Sequence, residues 1–305
     1  MRRIDRSIIR PVRRWYRRCG RSLPWRGESD PYRIILSEIM LQQTQVARVL
    51  EKYPRFLRRF PSMRSLARAP RRDVILAWRG MGYNNRAVRL HALATVLVRR
   101  NMRIPRSEES LLELPGIGKY TAHAILSSVH GLPVPVVDVN IRRLLSRVFW
   151  SMRSTAEMRS EREIWLAAGR ILPRRSVYDW NQALMDFGAT ICTARRPACH
   201  RCPLGQRCAS RLSMEPARPG AHRKTKKTEP GLRGVPNRIY RGRIVEARRR
   251  NKTGLVAGAL GREITEDFST EDLPWLAHIL DGLERDGLVR VMRAGAPARS
   301  RVVLA

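Results

Sequence analysis

Leu114 to Asn140 reads LPGIGKYTAHAILSSVHGLPVPVVDVN, and its punctuation decides the fold. The run Leu114-Pro115-Gly116-Ile117-Gly118 lies between two stretches of helical period, Ser107 to Glu113 and Lys119 to Val129, so a tight hairpin joining two helices is expected. Gly116 and Gly118 allow positive φ and let a phosphate approach backbone N–H groups at the start of the second helix, where the dipole favours an anion. Gly131, Pro133 and Pro135 stop that helix, and the β-branched run Val134, Val136, Val137 brings Asp138 to the start of another, Asn140 to Phe149. Taken singly, the hairpin could merely turn the chain and the Asp merely N-cap a helix. Together they describe a grip on a DNA backbone with a carboxylate held beside it.

The bulk numbers agree with such a partner. In 305 residues there are 61 Lys+Arg against 26 Asp+Glu, a formal net charge of +35, far from an ordinary enzyme. A polyanion is the expected partner, nucleic acid first, although a general preference for Arg contributes. No apolar run reaches the length of a bilayer span and no hydrophobic signal region follows the N-terminus, so a cytoplasmic, nucleoid-associated protein is expected. Ile4, Ile8, Val12, Trp15 and Tyr16 recur at helical spacing, which makes the Arg-rich start a packed basic helix rather than a transit peptide.

Asp30-Pro31 reads as an N-cap with proline at N1, opening a helix through about Tyr53. On it Glu38 sits among Ile34, Ile35, Ile39 and Leu41, surroundings that raise a carboxyl pKa on burial and so make a proton donor; a solvated surface Glu is the plainer alternative. Gln42 falls one turn further along, and Gln42-Gln43-Thr44-Gln45 is an unusual load of amides. Further on, Ser62 to Trp78 and Asn85 to Arg100 are amphipathic. Between them Tyr83 follows Gly80 and Gly82 on a flexible turn, as an exposed or a core tyrosine.

After Asp138, helices are expected over Ser160 to Leu172 and Val177 to Ala189, and then Cys192, Cys199, Cys202 and Cys208 arrive at the spacing C-x6-C-x2-C-x5-C. Disulfides are disfavoured inside a cell; four thiolates can hold a structural zinc or an iron-sulfur cluster. Cys19 remains as an ordinary thiol. Glu215 to Lys252 carries 13 Lys/Arg against 3 acids with four prolines, a basic linker assigned to 213–236. Beyond it, Ile239 to Arg250, a Ser269-x-x-Asp272 capping box before Leu273 to Arg285, and strands over Leu288 to Met292 and Arg301 to Leu304 suggest a winged-helix-like module over 237–305.

The segment from Leu36 to Gln45 closely resembles the catalytic helix of the adenine glycosylases of the MutY family. So do Leu23 to Arg26, Pro31 to Arg33, Gly80 to Tyr83 and Asn181 to Asp186, and the resemblance covers about Ser22 to Cys208. It implies a mainly α, two-lobed helix-hairpin-helix DNA glycosylase fold over 1–212, a 4Fe-4S cluster on the four cysteines, and double-stranded DNA with mismatched or oxidised pairs as partner of a monomer. It also implies roles: Glu38 as the acid and Asp138 as the carboxylate facing the sugar, supported by Tyr120 and Asn140. Arg26, Gln42, Gln43, Tyr83, Leu114, Gly116, Gly118 and Lys119 would meet DNA, with Tyr83 as an aromatic wedge.

Two departures narrow this. Asn84 and Asn85 follow Tyr83 in place of the family's usual residues, and no Nudix-like domain that would inspect 8-oxoguanine is recognisable. Bifunctional relatives of the endonuclease III type carry Lys where Tyr120 stands, so a monofunctional enzyme releasing adenine opposite 8-oxoguanine or guanine is expected. The Lys119-Tyr120 pair is also similar to mismatch thymine glycosylases, which act on T or U opposite G. Outside this class, a non-catalytic iron-sulfur DNA-binding protein or a regulator remains open.

Overall fold

The computed structural model describes residues 4–151, 159–211, 230–251 and 253–305. It is helical almost throughout. A 3-10 turn, Arg6–Ile8, leads into α1 (Ile9–Cys19), followed by α2 (Pro31–Leu41), α3 (Val46–Arg59), α4 (Met63–Arg68), α5 (Arg71–Ala77), α6 (Asn85–Arg99), α7 (Glu108–Leu112), α8 (Lys119–Ser128), α9 (Val139–Trp150), α10 (Glu161–Arg170) and α11 (Val177–Thr190). The C-terminal part adds a hairpin of β1 (Gly231–Leu232) with β2 (Val235–Pro236), then α12 (Asn237–Arg250), β3 (Leu255–Val256), α13 (Ala257–Ile264), α14 (Leu273–Arg285), β4 (Val289–Met292) and β5 (Arg301–Leu304). None of the described helices is long and apolar enough to cross a membrane.

The chain divides into two compact units. The first takes Met1–Ile35, Ile104–Glu113 and Ile117–Arg223. Its core gathers Ile8 and Val12 with Leu144, Val148, Ile164, Trp180, Leu184 and Phe187, and Trp15 stands edge-on to Phe187 at 5.0 Å. The basic N-terminal helix is therefore a packed element, as its spacing implied. Ser107, Asp138 and Ser160 each accept a backbone N–H at the start of α7, α9 and α10, which fixes where these helices begin.

The second unit takes Leu36–Arg103, Leu114–Gly116 and Lys224–Ala305. Phe56 packs against Phe60 and Trp78 at 5.0 and 5.7 Å. The C-terminal elements have winged-helix order: α12, β3, α13, α14, then β4 and β5, with β5 central in an antiparallel sheet where Val302 faces both Leu255 and Val291. Their core holds Tyr240, Leu260, Leu276 and Val302, and it also takes in Ile75 of α5. Gly287, at φ +69, permits the close approach to α5 and α6: a Cβ there would lie 3.0 Å from Arg71 Nη1 and 3.2 Å from Val88 Cγ1.

Two helices expected as continuous are broken. The one from Asp30 to Tyr53 ends at Leu41, because Gln43 takes φ +52 and Gln42–Gln45 forms a turn. The stretch Ser62 to Trp78 is split at Pro70, whose missing N–H and fixed φ end one helix and begin the next. Residues 213–229 of the expected basic linker lie outside the described residues; its last part, 230–236, is the β1–β2 hairpin.

Candidate active site

In the first unit, the loop from 131 to 138 is held at three places. Asn181, 2% exposed, donates from Nδ2 to Val134 O and Ser127 Oγ, both at 3.0 Å, and accepts Val136 N–H at 3.3 Å. His123 Nδ1 lies 2.8 Å from Pro135 O, and its Nε2 is 3.1 Å from Glu108 Oε2, which ties α7, α8 and the loop together. The loop ends on Asp138. One carboxyl oxygen accepts Ile141 N–H and the other accepts Asn140 Nδ2, each at 2.7 Å. Burial pushes this carboxyl above its ordinary value, while the bonds from Ile141 and Asn140 and the Arg143 charge pull it back.

Arg143 extends the constellation. It donates from Nη2 to Asn140 Oδ1 at 3.0 Å and to Gly188 O at 2.5 Å, and from Nε to Cys192 O at 2.8 Å. One turn on, Arg147 donates to Cys192 Sγ at 3.4 Å, Thr193 O at 2.7 Å and Ala194 O at 3.0 Å, so α9 carries both Asp138 at its start and the supports of the cysteine loop. Tyr120 is half-buried on α8. Its neighbour Lys119 is exposed, with Nζ 4.6 Å from the centre of the Trp165 ring, a cation–π contact on a different line of the helix.

Arg26 is committed within the protein. It pairs with Asp186 through two hydrogen bonds of 2.7 Å, bonds Gln182 Oε1 at 3.0 Å, and shares Asp186 with Arg21. Burial of Asp186 is outweighed by these bonds, which hold its carboxyl below the usual range. The Asn181 to Asp186 segment thus has two tasks in one helix: its first residue fixes the loop before Asp138 and its last fixes the lead-in at residues 21 to 26.

In the second unit, Glu38 is 8% exposed near the end of α2. The carbonyls of that end are capped from afar. Arg86, buried on α6, donates Nη1 to Ile39 O and Met40 O, both at 2.9 Å, and to Gln42 O. Its Nη2 reaches Thr44 Oγ1 at 2.8 Å, Met81 O at 3.1 Å and Gly82 O at 3.2 Å. Burial without an acidic partner brings this guanidinium down to about 10. One side chain therefore joins the end of the Glu38 helix, the Gln42–Thr44 turn and the turn that bears Tyr83. Gln42 is half-buried and Gln43 exposed, beyond the helix rather than on the Glu38 face as sequence spacing implied. Tyr83 is 57% exposed at φ +43, and its ring lies 5.6 Å from the Arg86 guanidinium.

Between α7 and α8, Leu114 and Ile117 are buried and anchor the hairpin, while Gly116 takes φ +79. A Cβ at 116 would come within 2.9 Å of Arg89 Cβ. Gly118 and Lys119 are exposed at the start of α8, as an anion grip requires.

Cys192, Cys199, Cys202 and Cys208 line one cavity, closed by Leu144, Val148, Phe187 and Leu204. Among the described residues no three His, Cys, Asp or Glu side chains converge on a single metal ion. Four thiols around one apolar cavity are a soft donor set of the kind that suits zinc or an iron-sulfur cluster. Burial pushes Cys199 and Cys208 up and Cys202 to about 11. Nothing in the sequence distinguishes Arg86, Arg143 and Arg147, because 61 basic residues hide the few that are buried.

Residues 36–168 match the model of the HhH-GPD superfamily of base excision DNA repair proteins, and residues 192–208 match the iron-sulfur binding domain of endonuclease III. The chain thus carries an endonuclease III-type 4Fe-4S binding domain over the segment that holds the four cysteines. The chain is 41% identical over 212 residues to an adenine DNA glycosylase of Mycobacterium tuberculosis, 69% of each chain. It is 35% identical over 277 residues, 90% of each, to that of Mycolicibacterium smegmatis, a span that takes in most of the C-terminal module. A thermostable thymine-DNA glycosylase of known structure superimposes with a TM-score of 0.62 at 28% identity, covering 68% of this chain and 95% of that one. With the hairpin, the Asp138 loop and the cysteine loop in place, the chain belongs to the adenine DNA glycosylase family of the HhH-GPD superfamily.

Proposed function

We propose that this chain is a monofunctional glycosylase that removes adenine mispaired with 8-oxoguanine or guanine, acting as a monomer on double-stranded DNA at the nucleoid. The observation that carries the reading is Asp138, whose two oxygens are aligned by Ile141 N–H and Asn140 Nδ2, each at 2.7 Å.

A base within a duplex is out of reach, so it is flipped, and Tyr83 and Gln42 fill the gap it leaves. Glu38, buried near the end of a helix whose carbonyls Arg86 holds, gives its proton to adenine N7 as the bond from N9 to C1' breaks. The electron pair of that bond leaves with the base. Ionised Asp138 stabilises the cationic sugar, with Tyr120 and Asn140 beside it, and a water oxygen then bonds C1' while its proton is lost to a base. Gly116, Gly118 and Lys119 hold the phosphates, and Leu114 anchors that hairpin. The cluster supplies a rigid, charge-balanced fold for the loop that carries Arg195, Arg196, Arg201 and Arg207 toward DNA.

Tyr120 bears no amine and Lys119 is held on Trp165, which supports hydrolysis without strand cleavage. The likeness to a thymine-DNA glycosylase favours a second reading, release of T or U opposite G. Single-turnover base release on duplexes with A opposite 8-oxoguanine, A opposite G, and T or U opposite G, with and without alkali, decides between them. Adenine release with strand breaks only after alkali is expected. Thymine or uracil release in its place establishes the second reading.

A further inference from the structure

The contact between the C-terminal module and α5 leads directly to the turn that bears Tyr83. Helix α12 presents Glu246 and Arg249, three residues apart and so on one face. Arg249, 6% exposed, donates Nη2 to Asn84 Oδ1 at 3.0 Å and to Ile75 O at 2.9 Å, and its Nη1 meets Glu246 Oε2 at 3.3 Å. Glu246 pairs in turn with Arg79. Arg79 and Asn84 are the residues on either side of Gly80–Tyr83. Two adjoining side chains of the module therefore hold both ends of one four-residue turn.

The turn needs holding. Gly80 and Gly82 take φ +84 and +70, and Tyr83 takes +43, a value that a residue with a side chain keeps only where its surroundings impose it. Arg86 grips Met81 O and Gly82 O within the turn, but Tyr83 itself is open to solvent. The module shares a core with Ile75 and closes on Arg71 and Val88 through Gly287, so its grip has a rigid base.

We infer that the winged-helix-like module is a positioning element for the Tyr83 turn, with Glu246 and Arg249 as the positioning residues that hold the aromatic ring ready for insertion into DNA. The module's own surface supports this use over sequence reading. The helix α14, which such a fold offers to a DNA groove, exposes Ala277, His278 and Asp281 along its face and has Arg285, in its last turn, as its one arginine or lysine, and Arg293 of the wing is paired with Asp281 and Glu284 at 2.8 Å. The inference rests on the reading of Tyr83 as a wedge.

The test is a double-mutant cycle on the full, cluster-loaded chain, read as single-turnover adenine release from an A opposite 8-oxoguanine duplex and as the fluorescence of 2-aminopurine placed beside the target adenine. Arg249→Ala is expected to slow release and weaken unstacking by about tenfold when Tyr83 is present, and by less than about twofold in a Tyr83→Ala background. Asn84→Ala, which removes only the acceptor on the turn, runs through the same cycle should Arg249→Ala fail to fold. Stability loss alone multiplies both backgrounds alike, so equal losses with and without Tyr83 overturn the inference while leaving the wedge in place. If Tyr83→Ala alone changes neither readout, there is no wedge at 83 and the inference falls with it.

Discussion

Arg143 and Asn140 share a hydrogen bond, Nη2 to Oδ1 at 3.0 Å, whose far side is the iron-sulfur loop, because the same guanidinium donates to the carbonyl of Cys192. Two side chains thus separate Cys192 from the Asp138 carboxylate. Arg143→Ala should lower the single-turnover rate by about a hundredfold through misplacement of Asn140 and Asp138, with the visible absorbance of the cluster retained. Cys202→Ser, which costs the cluster a ligand, should lose absorbance and rate together. Full activity of Arg143→Ala with an intact cluster would refute the coupling.

Arg86 offers a test of the other unit. Lysine keeps the charge but replaces a forked planar donor with a point, and the carbonyls of residues 39, 40, 42, 81 and 82 cannot all be satisfied. Arg86→Lys should cost about 2 to 3 kcal/mol in urea unfolding, the scale of buried acceptors left unmade. A loss below about half a kcal/mol, the size of an ordinary surface change, would mean that these carbonyls find other partners.

Asp186 gives a pH signature. Its folded-state pKa is depressed, so the stability it contributes is present above its unfolded value, near 3.8, and is lost as pH falls through the lower folded value. Asp186→Asn leaves Arg21 and Arg26 without their anion and should cost about 3 to 5 kcal/mol at neutral pH. The gap between parent and variant should narrow only below about pH 4, in urea melts at fixed ionic strength. A gap that closes already at pH 6 would contradict the sign.

Tyr120 tests the monofunctional reading. A lysine there would present an amine one position along α8 from Lys119, which is held on Trp165. Tyr120→Lys should therefore yield strand cleavage without alkali and a borohydride-trappable adduct. Trapping by the parent chain instead would show that Lys119 leaves Trp165 to react.

What the sequence made legible was local. The helices expected to begin at Ser107 and Ser160 do begin there, each capped by that serine, and α14 runs from Leu273 to Arg285 as the capping box and period implied. The four cysteines announced their loop by spacing alone. The failures were long-range. A continuous helix through Gln42 looked sound because its end is made by Arg86, more than forty residues downstream, and no nearby Gly or Pro marks it. The strand β3 and helix α13 escaped notice because a two-residue strand has no period to detect. The bond from Arg26 to Asp186, 160 residues apart, leaves no mark in one dimension.

The shared core at Ile75 also governs how the protein comes to exist. Residues 36 to 103 are synthesised long before α12, and until that helix arrives the face of Ile75, Leu76 and Val88 has no cover. The lobe that bears Glu38 and Tyr83 must therefore wait, incomplete, for the last-made part of the described chain, and a fragment cut after the cysteine loop would keep every residue of the proposed chemistry yet leave an apolar face bare.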